Sequence, residues 1–441
     1  MSISDFPTQF RGDIVTPDSP DYDTARASLG AAAAPVAIVL PDTPADVALA
    51  VRYAASHGIL PAVRSGGHSG GSFVSPQPTL LIDMAHLTTI EVLDDDLVRL
   101  GPGSRWGTVA AALGEHGLAI SSGDTSSVGV GGLILGGGMG WLVRLDGLTI
   151  DTLVEAEVVT AAGEIVTASA TVNPDLFWAV RGGGGNFGVV TSYTLRAHRL
   201  DGVIGATITI DPRESAFAMK AWRDVMREAP EKLSSTFMGM PSFGPEVPAS
   251  IQIVACWAGT ELDEATAALA PLIDMPGVLS HTIGATTYAS LLHEAPVPGV
   301  PITLVDNASF TPNLTDELID SVTSLWADLG MAVLSVRSLG GAFSRVPSDA
   351  TAVAYRESEA LLFTAVMLPA DADELQQQRI IDRWNEMPGP RVGTFSTFVT
   401  RTGPKVLAEI YPPATLKRLR AVKATWDPTN LFRLNQNVAP E

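Results

Sequence analysis

The sequence has little cysteine and little positive charge. Cys256 is the one cysteine among 441 residues, and 28 basic residues stand against 48 acidic ones. A lone cysteine excludes an intrachain disulfide and a cysteine-rich zinc site, and we expect no metal site. The net charge of −20 argues against nucleic acid and anionic membranes as partners, because both are bound by basic patches.

Long apolar runs are also missing. Spanning a membrane takes ~18–20 apolar residues, and the nearest candidate, residues 128–142, is interrupted by glycines that predict a loop. The first residues lack the basic start and apolar core of a signal peptide. With 46% hydrophobic and 17% charged residues, the composition is that of a compact globular protein, and we expect a cytoplasmic one.

The length predicts two or three domains, at ~100–200 residues each. Residues 1–200 are rich in glycine and alternate short strands with helices. Residues 201–395 alternate strand-like stretches with amphipathic helices, which predicts an antiparallel sheet covered by helices. Residues 396–441 contain a last helix over 413–425, which ends before Pro428. The predicted fold class is α+β.

Helix boundary signals surround residues 43–58. Thr43 is suited to cap a helix and Pro44 to its first position, while Gly58 is suited to a left-handed end. A strand over residues 60–63 then leads directly into a glycine-rich loop.

This first loop has four glycines within eight residues. Glycine permits left-handed backbone, and successive amide N–H groups can form a nest for a pyrophosphate. A tight structural turn would use the same residues, and the spacing is not that of the dinucleotide fingerprint. The candidate ligand-binding residues here are Arg64, Ser65, Gly66, Gly67, His68, Ser69 and Gly70.

A second loop favours the ligand over the turn. It holds eight glycines between Gly123 and Trp141, a density that we expect a core strand or helix not to tolerate, at ~0.5–1 kcal/mol per glycine. A third cluster, residues 181–188, adds five more glycines. Three such loops predict one extended ligand lined by backbone. The candidate contacts in the second loop are Gly123, Asp124, Ser127, Val128, Gly129, Gly131, Gly132, Gly136, Gly137, Gly138 and Trp141.

These segments resemble the FAD-linked oxidase superfamily with the vanillyl-alcohol-oxidase fold, and within it the berberine-bridge-enzyme-like branch in its bacterial form. The resemblance is carried by residues 64–70, 127–141, 175–191, 340–356 and 427–437, so it runs from about residue 36 onward. It implies a two-part PCMH-type FAD-binding domain over residues 1–200. It also implies a substrate domain over 201–395 and a C-terminal segment, 396–441, that returns to the FAD-binding domain.

The resemblance implies that FAD is attached covalently through His68. A neutral imidazole is a competent nucleophile near pH 7. Many relatives carry a second bond from a cysteine, but the matching position here is Thr125, and Cys256 lies far along the chain. Leu133 also stands where many relatives have histidine. We therefore expect a single covalent bond.

Further cofactor contacts are implied by the same resemblance. Backbone near Val158 would meet the adenine, and Asn435 and Asn437 would approach the flavin ring; a ladder of turn asparagines is the alternative for the last two. Trp141 would pack either under the cofactor or in the core.

The residues that do the chemistry are harder to assign. Hydride transfer to the flavin needs a base for the substrate hydroxyl or amine, but the tyrosines usual in relatives are replaced here by Met139 and by residues 395–398 (Phe-Ser-Thr-Phe). Tyr355 and Tyr411 are the candidate catalytic residues that remain. The weaker candidates are His293, Glu294 and Arg356.

The expected activity is oxidation of a small organic substrate. A pocket edged by Phe395, Phe398 and Met139 would favour an apolar or aromatic alcohol or amine over a sugar. Val130, small enough to leave space beside the flavin, favours O2 as the acceptor, giving H2O2. A dehydrogenase using another acceptor and a flavin-binding protein without redox turnover remain alternatives, and an aldonolactone oxidase is the alternative at the level of the fold.

Overall fold

The fold is taken from a computed structural model, which describes residues 3, 5–28, 34–69, 75, 77–294 and 302–441. In these residues, no helix is long and apolar enough to cross a bilayer. Gly70, one of the expected cofactor contacts, lies outside the described residues.

The first sheet is mostly parallel and has the strand order β1-β2-β4-β3. Its strands are β1 Asp13–Val15, β2 Ala37–Leu40, β3 Leu60–Arg64 and β4 Thr79–Asp83. β4 pairs in parallel with both β2 and β3, while β1 pairs antiparallel with β2. The short helix α1 Tyr22–Ala25 precedes β2, and α2 Pro44–His57 joins β2 to β3.

Helix α2 has the predicted boundaries. The Thr43 side chain accepts a hydrogen bond from the Asp46 amide, and the Asp46 carboxylate accepts one from the Thr43 amide at 3.0 Å. This capping box is a recognised helix start. Gly58 ends the helix with φ of 65°, which confirms the left-handed end. The chain is thereby turned into β3, at the end of which the His68 loop begins.

The second sheet is antiparallel and has the order β5-β6-β10-β8-β9. Its strands are β5 Ile90–Val92, β6 Leu97–Leu100, β8 Leu153–Val159, β9 Ile165–Ser169 and β10 Val189–Arg196. A two-stranded sheet, β7 Leu118–Ala119 with β11 His198–Arg199, lies outside this order. The helices of this region are α3 Trp106–Gly114, α4 Val130–Gly136, α5 Val143–Asp146 and α6 Pro174–Val180.

The third sheet is antiparallel and has the order β15-β12-β14-β13-β17-β18-β16. Its strands are β12 Val203–Ile210, β13 Leu233–Met240, β14 Ser250–Ala258, β15 Val278–Thr286, β16 Ile302–Thr311, β17 Ala332–Ser338 and β18 Ala360–Pro369. The remaining helices are α7 Ser215–Glu228, α8 Leu262–Ile273, α9 Asp316–Leu329, α10 Ala342–Arg345, α11 Glu374–Asn385, α12 Pro404–Ile410 and α13 Pro413–Trp426. The predicted helix-covered antiparallel sheet is therefore confirmed.

The two faces of the third sheet belong to different cores, because successive side chains of a strand point to opposite faces. Leu362 packs in the core beneath helices α7, α8, α9 and α11. Phe310 and Leu361 belong instead to the core shared with the second sheet. This second face of the sheet lies over the glycine-rich region.

A buried ion pair fixes the C-terminal segment. The Lys423 ammonium donates to the Asp427 carboxylate at 2.7 Å, to the Asn186 carbonyl at 2.7 Å and to the Phe432 carbonyl at 2.8 Å. Asn186 lies in the third glycine cluster, and its side-chain amide also donates to the carbonyl of Gln436. These bonds hold the segment that carries Asn435 and Asn437 against that cluster.

One sequence-based expectation is wrong. Residues 128–142 were expected to be loop, but Val130–Gly136 form helix α4. Val130 and Ile134, four residues apart, are fully buried in the shared core, and that packing outweighs the low helix propensity of glycine. The helix then ends at Gly137, whose φ of 126° suits glycine alone.

Candidate functional site

His68 lies where the first and second glycine loops meet. Its Nε2 atom is 2.9 Å from the Ser127 hydroxyl, which donates to Oε2 of Glu294 at 2.6 Å. The Ser126 hydroxyl donates to the other oxygen of the same carboxylate. The first loop, the second loop and the segment after β15 therefore converge on one histidine.

The backbones of the two loops touch beside His68. A Cβ atom placed on Gly66 would lie 2.3 Å from the Gly129 amide nitrogen, and one placed on Gly129 would lie 2.2 Å from that of Gly66. The Ser65 hydroxyl adds a bond, since it accepts from the Gly131 amide at 3.2 Å. Several of the glycines expected to line a ligand are thus required by chain-to-chain packing.

Arg105, rather than Arg64, supplies the positive charge beside His68. The Arg64 guanidinium forms a buried ion pair with Asp83 and donates to the Ala27 carbonyl, so its charge is already balanced. Arg105 reaches the loop instead, donating to the Ser127 carbonyl at 3.1 Å. Partial burial, followed by the Arg105 charge, lowers the pKa of His68. Both effects keep the imidazole neutral near pH 7.

The second loop is also fixed to the third sheet. Arg337 of β17 forms an ion pair with Asp124 and donates to the Met139 carbonyl at 3.1 Å. Its guanidinium lies over the Trp141 ring, 5.3 Å from the centroid. Trp141 is buried in the shared core, and its indole N–H donates to the Leu291 carbonyl. Of the two alternatives for Trp141, the structure therefore favours core packing.

Three glycines at the end of α4 and directly after it pack closely against other parts of the chain. A Cβ atom on Gly136 would meet Thr397, and one on Gly137 would meet the Phe395 ring. A Cβ atom on Gly138 would be 2.0 Å from the Thr149 hydroxyl. These positions require glycine for close packing, whatever they do for a ligand.

Three observations fit an FAD bound beside these loops. Within the described residues, the side-chain oxygens of Asn435 and Asn437 are buried without a hydrogen-bond partner, so they can accept from a flavin N–H. Asn435 lies beside the third cluster, with its amide nitrogen 3.9 Å from a Cβ position on Gly185. Gly132 is exposed and has no atom within 4 Å of its Cβ position, which leaves room for a flat ligand.

The other predicted cofactor contacts lie in the first two loops and in β8. Gly67 has φ of 71°, as a tight loop requires, and Ser69 beside His68 is exposed. The Val128 carbonyl accepts from the Trp106 amide, and Gly123 is buried against Leu133. The side chain of Val158 is fully buried in β8. Their roles toward the cofactor stay predictions.

An aromatic wall lies next to α4, formed by Phe310, Phe363, Phe395 and Phe398. The Phe395 and Phe398 ring centroids are 5.7 Å apart, and those of Phe363 and Phe398 are 5.2 Å apart. Phe363 and Phe398 are only half-buried, whereas Phe395 is buried. Met139, expected at the same pocket edge, is buried in the shared core.

Asp306 lies at the polar end of this wall. It is on the same face of β16 as Ala308 and Phe310, and Ala308 pairs with Phe363 on β18. Both carboxylate oxygens accept from the Thr400 amide, at 3.0 and 3.1 Å, two residues after Phe398. Burial raises the pKa of Asp306. A carboxyl with a raised pKa on the sheet face that carries an aromatic wall is a candidate acid–base group.

The candidate catalytic tyrosines both donate to backbone carbonyls. Tyr411 is buried and donates to the Gly182 carbonyl at 2.9 Å, and burial raises the pKa of its hydroxyl. Tyr355 is half-buried and donates to the Glu409 carbonyl at 3.0 Å. Arg356 is held by Asp151 in a buried, two-fold ion pair, while His293 is exposed. Catalytic roles for the tyrosines stay predictions that these contacts do not favour.

Sequence reasoning missed three charged residues of this region. Arg105 lies outside the glycine motifs, so only the fold places it at His68. Arg337 and Asp306 carried a usable signal, because each is a single charge in an otherwise apolar or small-residue strand. Such residues are rarely buried without a partner or a role.

Comparisons with known proteins identify the family. The FAD binding domain model matches residues 35–169, and the model described as berberine and berberine like matches residues 410–439. The uncharacterized FAD-linked oxidoreductase YgaK of Bacillus subtilis is 30% identical, over 98% of both chains. The chain therefore belongs to the berberine-bridge-enzyme-like family of FAD-linked oxidoreductases.

Named relatives differ in substrate. (R)-6-hydroxynicotine oxidase of Paenarthrobacter nicotinovorans is 29% identical, over 99% of this chain and 98% of its own length. Glucooligosaccharide oxidase of Sarocladium strictum is 28% identical, over 92% and 87%.

Solved structures confirm the fold. Chitooligosaccharide oxidase superposes with a TM-score of 0.86 at 25% identity, over 98% of both chains. A structure of glucooligosaccharide oxidase from Acremonium strictum, described as carrying a 6-S-cysteinyl, 8α-N1-histidyl FAD, gives 0.82 at 23% identity, over 98% of this chain and 97% of its own.

The open space at Gly132 allows a test of where FAD binds. Gly132→Ala should leave the fold intact, because no protein atom lies near the new methyl group. If FAD covers this position, the methyl group should weaken FAD binding by about 5- to 100-fold, the effect of overpacking by ~1–3 kcal/mol. Flavin content and FAD affinity of the purified protein measure this.

Gly114→Ala is the matched control, since Gly114 is also helical and also has an open Cβ position. It should keep the wild-type flavin content. Equal flavin binding by both variants would place the cofactor away from Gly132.

Proposed function

We propose that this protein is an FAD-dependent oxidase with FAD attached covalently through His68, which oxidises a small apolar or aromatic alcohol or amine. The observation that carries the proposal is the convergence of two glycine loops on a neutral, accessible imidazole. The buried, unpartnered side-chain oxygens of Asn435 and Asn437 support it separately. A bound FAD would supply the hydride acceptor for the substrate, and O2 would reoxidise it to give H2O2. The division into residues 1–200, 201–395 and 396–441 stays part of this proposal.

The attachment through His68 is supported by its surroundings. A nucleophilic imidazole must be neutral, and both burial and Arg105 lower the pKa of His68. Thr125 is the residue where a second bond would require cysteine, and Cys256 is buried in the shared core. One covalent bond is therefore expected.

His68→Ala should abolish covalent attachment. Wild-type protein precipitated with acid should retain its yellow colour, and its band on a denaturing gel should fluoresce. The variant should release all flavin into the supernatant, because the side chain proposed to form the bond is gone. His116→Ala, an exposed histidine, should behave as wild type. Free flavin from the wild-type protein would refute the bond.

The substrate class is inferred from the aromatic wall. The half-buried rings of Phe363 and Phe398 offer an apolar surface, and flat aromatic rings pack on such surfaces with ~0.5–1.5 kcal/mol beyond area burial. A saccharide site would instead need several polar groups aimed at ring hydroxyls. The residues of the wall provide none.

A substrate panel tests both the substrate and the acceptor. Aromatic alcohols and amines should bleach the flavin anaerobically and yield one H2O2 per turnover in air, while oligosaccharides should do neither. Phe398→Ser should raise KM for the aromatic substrate at least tenfold, by loss of ring contact. Turnover of oligosaccharides alone would contradict the substrate class. Bleaching without H2O2 would indicate a dehydrogenase, and no bleaching with any compound would indicate a non-redox role.

We assign removal of the substrate proton to Asp306. Proton removal must accompany hydride loss, and the base needs a pKa closer to the working pH. Burial raises the pKa of Asp306, and its side chain shares the sheet face with the aromatic wall. The tyrosine hydroxyls, in contrast, already donate to carbonyls.

Asp306→Asn should lower kcat about 10²- to 10⁴-fold, the usual contribution of a general base. The amide oxygen can still accept from the Thr400 amide, so the fold should survive. In the wild type, activity should fall as pH decreases through the raised pKa of Asp306, because the base becomes protonated; the variant should lose this acid limb. Tyr355→Phe, the control, should change kcat by less than tenfold. A wild-type pH profile in Asp306→Asn would exclude the assignment.

A further inference from the structure

Glu294 has no role in the oxidation described above, yet it is joined to His68. Its carboxylate accepts one hydroxyl on each oxygen, from Ser126 and from Ser127. Ser127 in turn lies 2.9 Å from Nε2 of His68. Ser126, Glu294 and Ser127 form a continuous series of hydrogen bonds that ends on the His68 imidazole.

The direction of these hydrogen bonds follows from which of the side chains carry a hydrogen to donate. An ionised carboxylate has no hydrogen to donate, so the Ser127 hydroxyl hydrogen points to Glu294. The hydrogen bonds from Ser126 and Ser127 lower the pKa of Glu294, which keeps it ionised. The Ser127 oxygen can then only accept from His68, and Nε2 must carry the hydrogen. In a neutral imidazole, the lone pair is therefore on Nδ1.

We infer that Glu294 is a positioning residue for covalent attachment of the flavin: through Ser127, it holds His68 as the tautomer whose Nδ1 lone pair can bond to the flavin C8α carbon. The inference rests on the proposed function, since it requires the His68 bond. It also gives the segment after β15 a part in building the holoenzyme.

Attachment of the flavin through His68 is a two-electron oxidation. One C–H bond of the C8 methyl group and the imidazole N–H bond break, and the Nδ1–C8α bond forms. Two electrons and two protons remain with the isoalloxazine and leave to an external acceptor, dioxygen, which becomes H2O2. As Nδ1 bonds to carbon, the Nε2 hydrogen becomes acidic, and Ser127 lies in position to pass it to the Glu294 carboxylate.

Glu294→Gln reverses the chain of hydrogen bonds with almost no change in shape. The glutamine amide can donate to the Ser127 oxygen, and Ser127 can then donate to Nε2, which moves the imidazole hydrogen to Nδ1. That tautomer has no lone pair on the bonding atom. Ser127→Ala removes the link altogether, whereas Ser127→Thr retains the hydroxyl.

The test follows attachment rather than turnover. Full-length protein produced under riboflavin limitation is mixed with FAD, and samples are precipitated with acid over time. Total bound FAD is measured before precipitation and covalent FAD after it, and the bonded nitrogen is identified by NMR of the isolated flavin peptide. Wild type, Glu294→Gln, Ser127→Ala, Ser127→Thr and the control Ser290→Ala, whose hydroxyl is bonded to Thr287 rather than to Glu294, are compared with His68→Ala.

We expect covalent attachment to slow at least tenfold in Glu294→Gln and Ser127→Ala, with total FAD binding retained. Ser127→Thr and Ser290→Ala should stay within about threefold of wild type, and the wild-type bond should be on Nδ1. If Glu294→Gln does not hold FAD, the contrast between Ser127→Ala and Ser127→Thr decides. Wild-type rates in both slow variants, or a bond on Nε2, would overturn the inference while leaving the His68 bond intact. Flavin freely released from wild type would overturn both.

Discussion

The contact between the backbones of Gly66 and Gly129 is the constraint on which the site depends. No side chain larger than hydrogen fits at either position, because a Cβ atom would come within 2.3 Å of a backbone nitrogen. This contact brings the end of β3 to the start of α4, and so brings His68 to Ser127. Arg105, whose guanidinium lies against the same backbone, contributes the charge that helps to keep the imidazole neutral. A geometric requirement of the main chain thus sets the chemistry of one side chain.

The third sheet supplies what the glycine loops lack. Loops built from glycine bring backbone groups but few side chains, whereas β16, β17 and β18 turn one face toward them. That face carries Arg337, which holds the second loop through Asp124, and also Phe310, Phe363 and Asp306. On the proposed function, the cofactor loops and the substrate surface come from different parts of the chain, so the substrate face can change while the cofactor loops stay the same.

Most of the fold, but only part of the candidate site, could be predicted from the sequence. Thr43 and Gly58 act within one turn of the chain, so local rules predicted α2 correctly. Helix α4 was missed because its stability comes from burial of Val130 and Ile134, which no local propensity records. Strand β15 is hard to predict from the sequence, because it is an edge strand with mostly exposed side chains and weak alternation. Only the fold places Arg105 beside His68, whereas Arg337 and Asp306 stand out as single charges in their strands. Arg64 was assigned to a ligand although Asp83 already neutralises it.

The Lys423–Asp427 pair has a consequence for how the holoenzyme is made. Lys423 and Asp427 are completely buried, and they join residues near position 186 to residues 430–438, about 250 positions later. Asn435 and Asn437 lie in the segment that this junction holds in place. A ribosome therefore makes this segment about 250 residues after the third glycine cluster. If the two asparagines contact FAD as proposed, the site stays incomplete until residues 430–438 have been made and have folded back onto Asn186.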